Sequence, residues 1–134
     1  MTNDIEEITD GTQILAYLIR RNVKPIQTTF ITSPDARQQI GFVVYPKSGV
    51  IKRHRHLPHE RRIFGMSEVL VVRSGQSKID VYDKDNNLIA TRDLYTGDVI
   101  VLLNGGHGFR ILEDTVFLEV KQGPYLGTDD KEFF

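Results

Sequence analysis

The sequence of 134 residues contains no cysteine. Disulfides, thiolate metal sites, iron–sulfur clusters and cysteine nucleophiles are therefore excluded, which leaves His, Asp and Glu as the strong metal ligands. The chain also lacks tryptophan and has only four histidines. Any site that uses an imidazole must therefore draw on these four histidines.

Long apolar runs and a strong net charge are missing as well. Apolar stretches such as residues 99–103 are far shorter than the ~20 residues that a membrane helix needs. The acidic residues Asp4, Glu6 and Glu7 do not resemble the basic start of a signal peptide, so we expect a cytoplasmic protein. Seventeen basic and eighteen acidic residues give a net charge of −1. We therefore expect no nucleic acid and no membrane as partner, and any basic site must be local.

The remaining composition is that of an ordinary globular protein. Hydrophobic residues make up 40% of the chain and charged residues 26%. A chain of this length is enough for one sizeable core. We therefore predict a single domain over residues 1–134.

The N-terminal region carries a helix-like pattern. Asp10 followed by Gln13 matches a capping box, and the apolar residues after it recur near helical spacing. Pro25 forbids continuation of a helix. The pattern predicts a short helix over about residues 11–21.

From residue 26 to residue 121, short β-branched or alternating runs are separated by turn residues. This pattern predicts an all-β sandwich or barrel with its core over about 26–121. The predicted strands are 26–31, 40–45, 50–56, 68–73, 77–82, 88–93, 98–103, 108–112 and 115–121. Two hairpins are expected, one joining 77–82 to 88–93 and one joining 108–112 to 115–121. The tail, 122–134, should dock by its aromatic residues or fray.

Three of the four histidines lie within six residues of one another. On a strand, His54 and His56 would project from the same face about 7 Å apart, close enough to share one cation. Glu68 opens an apolar run and offers a carboxylate. His107 lies among three glycines and has little to pack against locally. These side chains are candidate metal ligands.

The spacing of these residues resembles the first motif of the cupins, a superfamily of small jelly-roll barrels. That motif runs from a Gly through His-x-His to a Glu and then to a Gly seven residues later. In this chain Gly49 precedes the His54/His56 pair, and Glu68 lies seven residues before Gly75. The resemblance covers roughly residues 40–121.

The second cupin motif runs from a Gly to a His, and here it begins at Gly97 and ends at His107. Its usual proline is absent before His107. The resemblance implies a double-stranded β-helix, the cupin jelly-roll barrel. It also implies a metal centre with three imidazoles and one carboxylate, whose ligands would be His54, His56, Glu68 and His107.

The position of the carboxylate ligand leaves two alternatives. The family usually has its Glu three or four residues after the second His, a distance that Glu60 matches, whereas eleven residues separate His56 from Glu68. Either residues 57–67 form an inserted loop or Glu60 is the ligand. We favour Glu68, because it leads directly into an apolar strand pattern while Glu60 is flanked by basic residues.

The segment Glu119–Tyr125 and the turn around His107 are similar to small cupins of surface-polysaccharide and nucleotide-sugar metabolism. Within that segment, Gln122–Tyr125 also resembles sugar-nucleotide ketoisomerases of the same superfamily. The resemblance implies a metal-binding protein that acts on a small polar ligand, a sugar or sugar nucleotide, with isomerase or epimerase chemistry possible. One divalent ion would polarise the substrate. The ligand set suits Mn²⁺, Fe²⁺, Ni²⁺, Co²⁺ or Zn²⁺.

Several further residues near the histidine pair are candidates for the same site. His59 and Glu60 are candidate acid–base groups, and Lys52, Arg61 and Arg62 are candidate ligand-binding cations. The alternative for the basic residues is a solvated edge strand that its charges protect against aggregation.

Two other functions stay open on the sequence alone. The protein could be a non-catalytic sugar-binding or sensor module, or a metal-independent ketoisomerase or epimerase that uses His54 or His107 as base. Cupins commonly dimerise, and Tyr125, Phe133 and Phe134 are aromatic residues that a partner could cover, so we expect a homodimer.

Overall fold

The computed structural model describes residues 4–134, and this part of the chain is all β, without a helix. Accordingly, none of residues 4–134 belongs to a helix that could cross a membrane. The chain divides into two compact units. Unit 1 comprises Met1–Val23 and Met66–Phe134, and unit 2 comprises Lys24–Gly65. The interpretation of residues 1–134 as a single domain stays a prediction.

The described chain contains ten strands, of which β3 and β4 lie in unit 2 and the others in unit 1. In chain order they are β1 (Ile5–Thr9), β2 (Ile14–Ile19), β3 (Thr29–Phe30), β4 (Gly41–Phe42), β5 (Glu68–Ser74), β6 (Gln76–Tyr82), β7 (Leu88–Tyr95), β8 (Val99–Leu102), β9 (Gly106–Ile111) and β10 (Val116–Lys121).

Unit 1 consists of two antiparallel sheets. One has five strands in the order β1-β2-β8-β5-β10, and the other has three in the order β7-β6-β9. Buried residues of both sheets form one hydrophobic core, to which Leu18 and Ile100 contribute from the larger sheet and Ile79 and Leu94 from the smaller. The all-β prediction is confirmed. Within the described residues no strand pair joins the two sheets of unit 1 into a closed barrel.

Strand β6 shows why the pattern in this region is easy to interpret. Its buried residues alternate with partly exposed ones, so that Ser77, Ile79 and Val81 face the core. Successive side chains on a strand point to opposite faces, and a half-buried strand therefore needs this period of two. The predicted hairpin of 77–82 with 88–93 is confirmed by the pairing of β6 with β7.

The predicted helix over residues 11–21 is wrong. Residues Ile14–Ile19 form β2, which pairs with β1 on one side and β8 on the other. The Asp10 carboxylate accepts hydrogen bonds from the backbone N–H groups of Thr12 and Gln13, at 2.9 and 3.0 Å. These are the bonds of a helix cap, but here they close the turn between two strands. The continuous apolar run belongs to a central strand buried on both faces.

Two other predictions from local sequence pattern are wrong. The hairpin of 108–112 with 115–121 is wrong, because β9 pairs with β6 while β10 pairs with β5. The strand predicted over 50–56 is absent, and the backbone there has no regular structure. Turn residues and β-branched runs mark where strands can form, whereas partners depend on the whole sheet.

A buried carboxylate joins β2 to the turn between β7 and β8. Asp98 is 2% exposed, and the guanidinium of Arg20 donates to it at 2.9 Å. The backbone N–H groups of Arg21 and Tyr95 also donate to Asp98. One guanidinium and two backbone N–H groups therefore compensate the buried negative charge of Asp98.

Unit 2 has little regular structure. Its two strands have two residues each and form one short antiparallel pair. Thr32 is its only buried residue. Residues 45–65 are all exposed. The local order of unit 2 therefore rests on turns and short hydrogen bonds rather than on a hydrophobic core of its own.

Candidate functional site

A cavity of about 570 Å³ lies in unit 1. Strands of both sheets line it, together with the turn before β9 and residues of the C-terminal tail. The polar and charged side chains around it are Glu68, Asn104, His107, Glu119, Lys121, Asp130, Lys131 and Glu132. Its volume lies in the range of sites for small molecules.

Sheet register places three of these side chains together. Glu68 begins β5 and lies opposite Leu102 of β8 on one side and Lys121 of β10 on the other. Glu119 precedes Lys121 by two residues and therefore projects from the same face of β10. Its partner on β5 is the buried Leu70. The two carboxylates and the ammonium group thus share the inner face of the five-stranded sheet.

His107 reaches the same cavity from the other sheet. It lies on β9, and its Nε2 atom is 3.8 Å from Oε2 of Glu68. That separation is too long for a hydrogen bond, so both groups keep capacity for a ligand. The structure therefore brings together two of the four predicted metal ligands, from distant parts of the chain.

Glycine is needed in the turn that presents His107. Gly105 has a φ of +73°, and a Cβ atom there would collide with the backbone carbonyl of Tyr82. Glycine adopts this left-handed conformation without the steric penalty of other residues. At the next position, a Cβ on Gly106 would lie 2.6 Å from the ring of Phe134.

Partial burial shifts both titratable groups toward their neutral forms. Burial raises the pKa of the Glu68 carboxyl, and the nearby Glu119 raises it further, while Lys121 acts in the opposite direction. Burial also lowers the pKa of the His107 imidazole, against the opposing effect of Glu119. The side chains of Glu68 and His107 keep 18% and 31% of their surfaces exposed, so both remain accessible to a ligand.

Lys121 is held by two neighbours at the cavity. Its Nζ atom lies 3.3 Å from Oε1 of Glu119 and 4.9 Å from the centre of the Tyr125 ring. The hydrogen bond to Glu119 is the main cause that raises the pKa of Lys121. The ammonium group therefore stays charged and has a fixed position between a carboxylate and an aromatic face.

One aromatic side chain of the tail contacts the three-stranded sheet. The ring of Phe134 packs edge-on against Tyr82, with centroids 5.1 Å apart. The Gln122 side chain accepts a hydrogen bond from the backbone of Ser67 at 2.9 Å, which anchors the beginning of the tail. Tyr125, Phe133 and Phe134 add aromatic surface to the cavity.

The other two predicted metal ligands lie together in unit 2. The rings of His54 and His56 have centroids 5.2 Å apart and meet edge-on. Nδ1 of His54 is 2.7 Å from the carbonyl oxygen of Lys52. Because a carbonyl only accepts, Nδ1 is the donor in this contact. Both rings are exposed, and neither lies on a strand.

The remaining predicted site residues are also in unit 2 and exposed. Glu60 forms an ion pair with Arg62 at 3.1 Å, between side chains that are 76% and 89% exposed. His59 and Arg61 lie on the same irregular segment. The assignments of His59 and Glu60 as acid–base groups, and of Lys52, Arg61 and Arg62 as ligand-binding cations, stay predictions.

The predicted metal ligands are therefore found as two pairs, His54 with His56 and Glu68 with His107. Among residues 4–134 no three His, Asp or Glu side chains form a group that could hold a metal ion. The four-ligand centre stays a prediction.

Sequence reasoning missed Glu119 and Lys121 as site residues. The signal was present, because the two charges alternate with apolar residues near the end of the predicted strand 115–121. A charged residue that alternates in this way can face inward only if something polar meets it. The register that puts Lys121 opposite Glu68 was needed to identify that partner.

The arrangement can do two things chemically. A carboxyl with a raised pKa beside an imidazole with a lowered pKa offers a proton donor and a proton acceptor at one place. The surrounding carboxylates, ammonium groups and aromatic rings can orient a polar molecule with apolar faces. Comparisons of the chain with protein-family models, with curated proteins and with solved structures gave no match.

Proposed function

We propose that the protein binds a small carbohydrate-type ligand in the cavity of unit 1 and moves a proton on it through Glu68 and His107. The reaction class is isomerisation or epimerisation, on a scaffold that we propose to be a cupin-type jelly roll. The observation that carries the proposal is the 3.8 Å approach of His107 Nε2 to Glu68 Oε2, at a cavity between two sheets.

The ligand class follows from the lining of the cavity. Sugars present hydroxyl groups along their edges and apolar C–H groups on their faces. The cavity offers carboxylates, ammonium groups and the Asn104 amide beside the rings of Phe109, Tyr125 and Phe133. Charged groups bond hydroxyls more strongly than neutral ones do, and aromatic rings cover the apolar faces. Sugars and sugar nucleotides are therefore the ligands to test first.

The proposed proton transfer uses the neutral forms that the environment favours. The His107 imidazole removes a proton from the carbon next to a carbonyl group, and the released electron pair forms a carbon–carbon double bond. The carbonyl oxygen takes the proton of the Glu68 carboxyl, which gives an enol. Where the α-carbon carries a hydroxyl group, the enol is an enediol. The His107 imidazolium then returns its proton to the former carbonyl carbon while the α-hydroxyl proton passes to the Glu68 carboxylate, which gives the isomer. Delivery of a proton to the other face of the α-carbon, with the enol proton returning to the Glu68 carboxylate, gives the epimer.

The test measures proton exchange, so the product need not be identified. The full chain is incubated in D₂O with a panel of aldoses, ketoses and nucleotide sugars, and NMR follows deuterium incorporation next to the carbonyl carbon. We expect His107→Asn and Glu68→Gln each to lower the exchange rate by about 10²–10⁴-fold. Glu113→Gln, at an exposed turn of unit 1, is the matched control and should leave the rate unchanged.

Two other outcomes would overturn the proposal in different ways. Loss of exchange in His59→Asn or Glu60→Gln, with His107→Asn still active, would move the acid–base groups to unit 2. Saturable sugar binding without exchange by any panel member would favour the non-catalytic sensor.

A divalent ion is the second candidate, and the His54/His56 pair supports it. Two adjacent imidazoles, with Nδ1 of His54 already in contact with a carbonyl oxygen, are the kind of donor pair that Mn²⁺, Fe²⁺, Ni²⁺, Co²⁺ and Zn²⁺ bind. When bound, such an ion could polarise a carbonyl oxygen as a Lewis acid. Elemental analysis of the untagged protein tests it. We expect metal content to fall in His54→Ala/His56→Ala and to persist in His59→Ala, whereas content that is low and unaffected would refute the metal site.

A further inference from the structure

The two units carry charges of opposite sign. Unit 2 contains eight Lys or Arg residues and two Asp or Glu residues, which is a net charge of +6. The rest of the chain has nine against sixteen, a net charge of −7. The whole-chain value of −1, on which the expectation of no membrane partner rested, is thus the sum of two large and opposite charges. Such asymmetry indicates an interaction with an anionic partner.

The basic residues of unit 2 concentrate in residues 50–64, here named the basic apolar segment. Its cations are Lys52, Arg53, Arg55, Arg61 and Arg62, and its only acid is Glu60. Every residue of the segment is exposed, and none lies in a strand. The explanation of these charges as protection for an edge strand therefore fails, because no strand is there to protect.

Large apolar side chains are interspersed with these cations along the same segment. Val50 is 79% exposed and Phe64 is 95% exposed, and three more large apolar residues of the segment, Ile51, Leu57 and Ile63, are exposed as well. Single exposed apolar residues need no explanation, but five within fifteen positions form a patch. The patch suits a partner that is both negatively charged and apolar.

We propose that the basic apolar segment docks on the surface of an anionic phospholipid bilayer. Guanidinium and ammonium groups would pair with lipid phosphates, while the neighbouring apolar side chains enter the boundary between headgroups and acyl chains. A fluid bilayer accepts side chains in many arrangements, which suits a segment without a paired backbone. This inference is independent of the proton chemistry proposed for unit 1.

The composition of the patch favours lipid over nucleic acid. Proteins that hold single-stranded nucleic acid stack the bases on aromatic side chains. In the basic apolar segment four of the five apolar side chains are aliphatic, and Phe64 is the only aromatic one besides the histidines. Aliphatic groups gain most from contact with acyl chains, so the bilayer is the better match.

Vesicle flotation with the full chain tests the proposal. We expect binding to vesicles of phosphatidylcholine mixed with phosphatidylglycerol, no binding to phosphatidylcholine alone, and weakening as salt is raised. Arg61→Ser/Arg62→Ser should weaken the partition by about thirtyfold, since each cation near the surface contributes about a factor of five. Phe64→Ser should weaken it at every salt concentration, because the apolar contribution is not screened.

Matched controls come from unit 1. Lys84→Ser removes an exposed cation, and Leu88→Ser removes an exposed apolar side chain that is 56% accessible. Neither should change the partition, and circular dichroism verifies that all variants are folded. Equal binding to both kinds of vesicle, or none to the anionic ones at low salt, would overturn the proposal. Salt-dependent binding of single-stranded RNA without binding of lipid would instead assign the segment to nucleic acid.

Discussion

The two units of the chain differ in how far their apolar side chains are buried. Every buried apolar residue of the described chain lies in unit 1, where two sheets enclose one core. Unit 2 has nine exposed large apolar residues and two strands of two residues each. An isolated pair of short strands is at best marginally stable, whereas three or more strands with an apolar face can stand alone. We therefore expect interactions within unit 1 to contribute most of the free energy of unfolding.

The two units also differ in the surroundings of their titratable and charged side chains. In unit 1 partial burial shifts the pKa values of Glu68 and His107, and each residue lies on a strand that is paired within its own sheet. In unit 2 the histidines and arginines of residues 53–62 are exposed on an irregular backbone. A rigid, partly desolvated position suits catalysis, and an exposed charged segment suits adhesion to a surface.

The largest effect is expected from the buried carboxylate of unit 1. Asp98→Ala removes the acceptor of two backbone N–H groups and the carboxylate that pairs with Arg20, which keeps only its hydrogen bond to the Asp93 carbonyl oxygen. We expect a loss of about 3–5 kcal/mol in the free energy of unfolding. Asp35→Ala in unit 2 removes an exposed carboxylate and should change stability by less than about 0.5 kcal/mol. Urea denaturation followed by circular dichroism measures both. Similar losses for the two variants would contradict the assignment of stability to unit 1.

A second prediction compares the truncation of a buried apolar side chain in unit 1 with that of an exposed one in unit 2. Leu18 is fully buried in β2, and Leu18→Ala should destabilise the protein by about 2–5 kcal/mol because it leaves a cavity in the core. Ile26 of unit 2 is 96% exposed, and Ile26→Ala should stay within about 0.5 kcal/mol. Thermal unfolding of both variants checks this. A marked loss for Ile26→Ala would mean that unit 2 buries this residue in solution.

The turn that presents His107 should be intolerant of a side chain. Gly105→Ala forces a left-handed backbone on alanine and a contact with the Tyr82 carbonyl, and we expect a loss of about 1–3 kcal/mol. Gly108→Ala lies on the adjoining strand β9, and a Cβ there meets nothing within 4 Å, so it is the control. Scanning calorimetry distinguishes the two. Equal stability of the variants would show that the turn is not constrained as described.

The smallest effect concerns an ion pair between β1 and β7. Hydrogen bonds from Arg92 lower the pKa of Glu6, so the carboxylate stabilises the fold above its ordinary pKa. This contribution is lost as pH falls through the lowered folded-state pKa. Both side chains are about one third exposed, so we expect Glu6→Gln to lose about 0.5–1 kcal/mol at neutral pH and less in acid. Glu60→Gln breaks the exposed pair of unit 2 and should change the free energy of unfolding at neutral pH by less than about 0.5 kcal/mol. Urea denaturation measures both variants, and an equal loss for Glu60→Gln would contradict the difference between the two pairs.

Much of the sheet structure of unit 1 was predictable from local pattern. The strands predicted at 68–73, 77–82, 88–93, 98–103, 108–112 and 115–121 correspond to β5 through β10 within a few residues. Alternating apolar residues and turn signals are local, so a window of about ten residues is enough to detect them. Strand β2 was missed because its continuous apolar run is compatible with either a helix or a buried strand.

The candidate site was only partly predictable. Glu68 and His107 were recognised from spacing, and the structure places them side by side. Glu119 and Lys121 were not recognised, because their role depends on the register between β5 and β10. The tail residue Phe134 lines the cavity and packs on Tyr82, a contact that the spacing of residues in the sequence does not indicate.

The sequence by itself determined that the chain is all β from β5 onward, that cysteine chemistry is excluded, and that Glu68 begins a strand. Tertiary structure alone decided that β2 is a strand, that β9 pairs with β6 rather than β10, and that the charges of β10 face the cavity with Glu68. The physical reason is that period and turn chemistry act between near neighbours. Strand pairing and burial depend instead on which distant segment fills the space beside each strand.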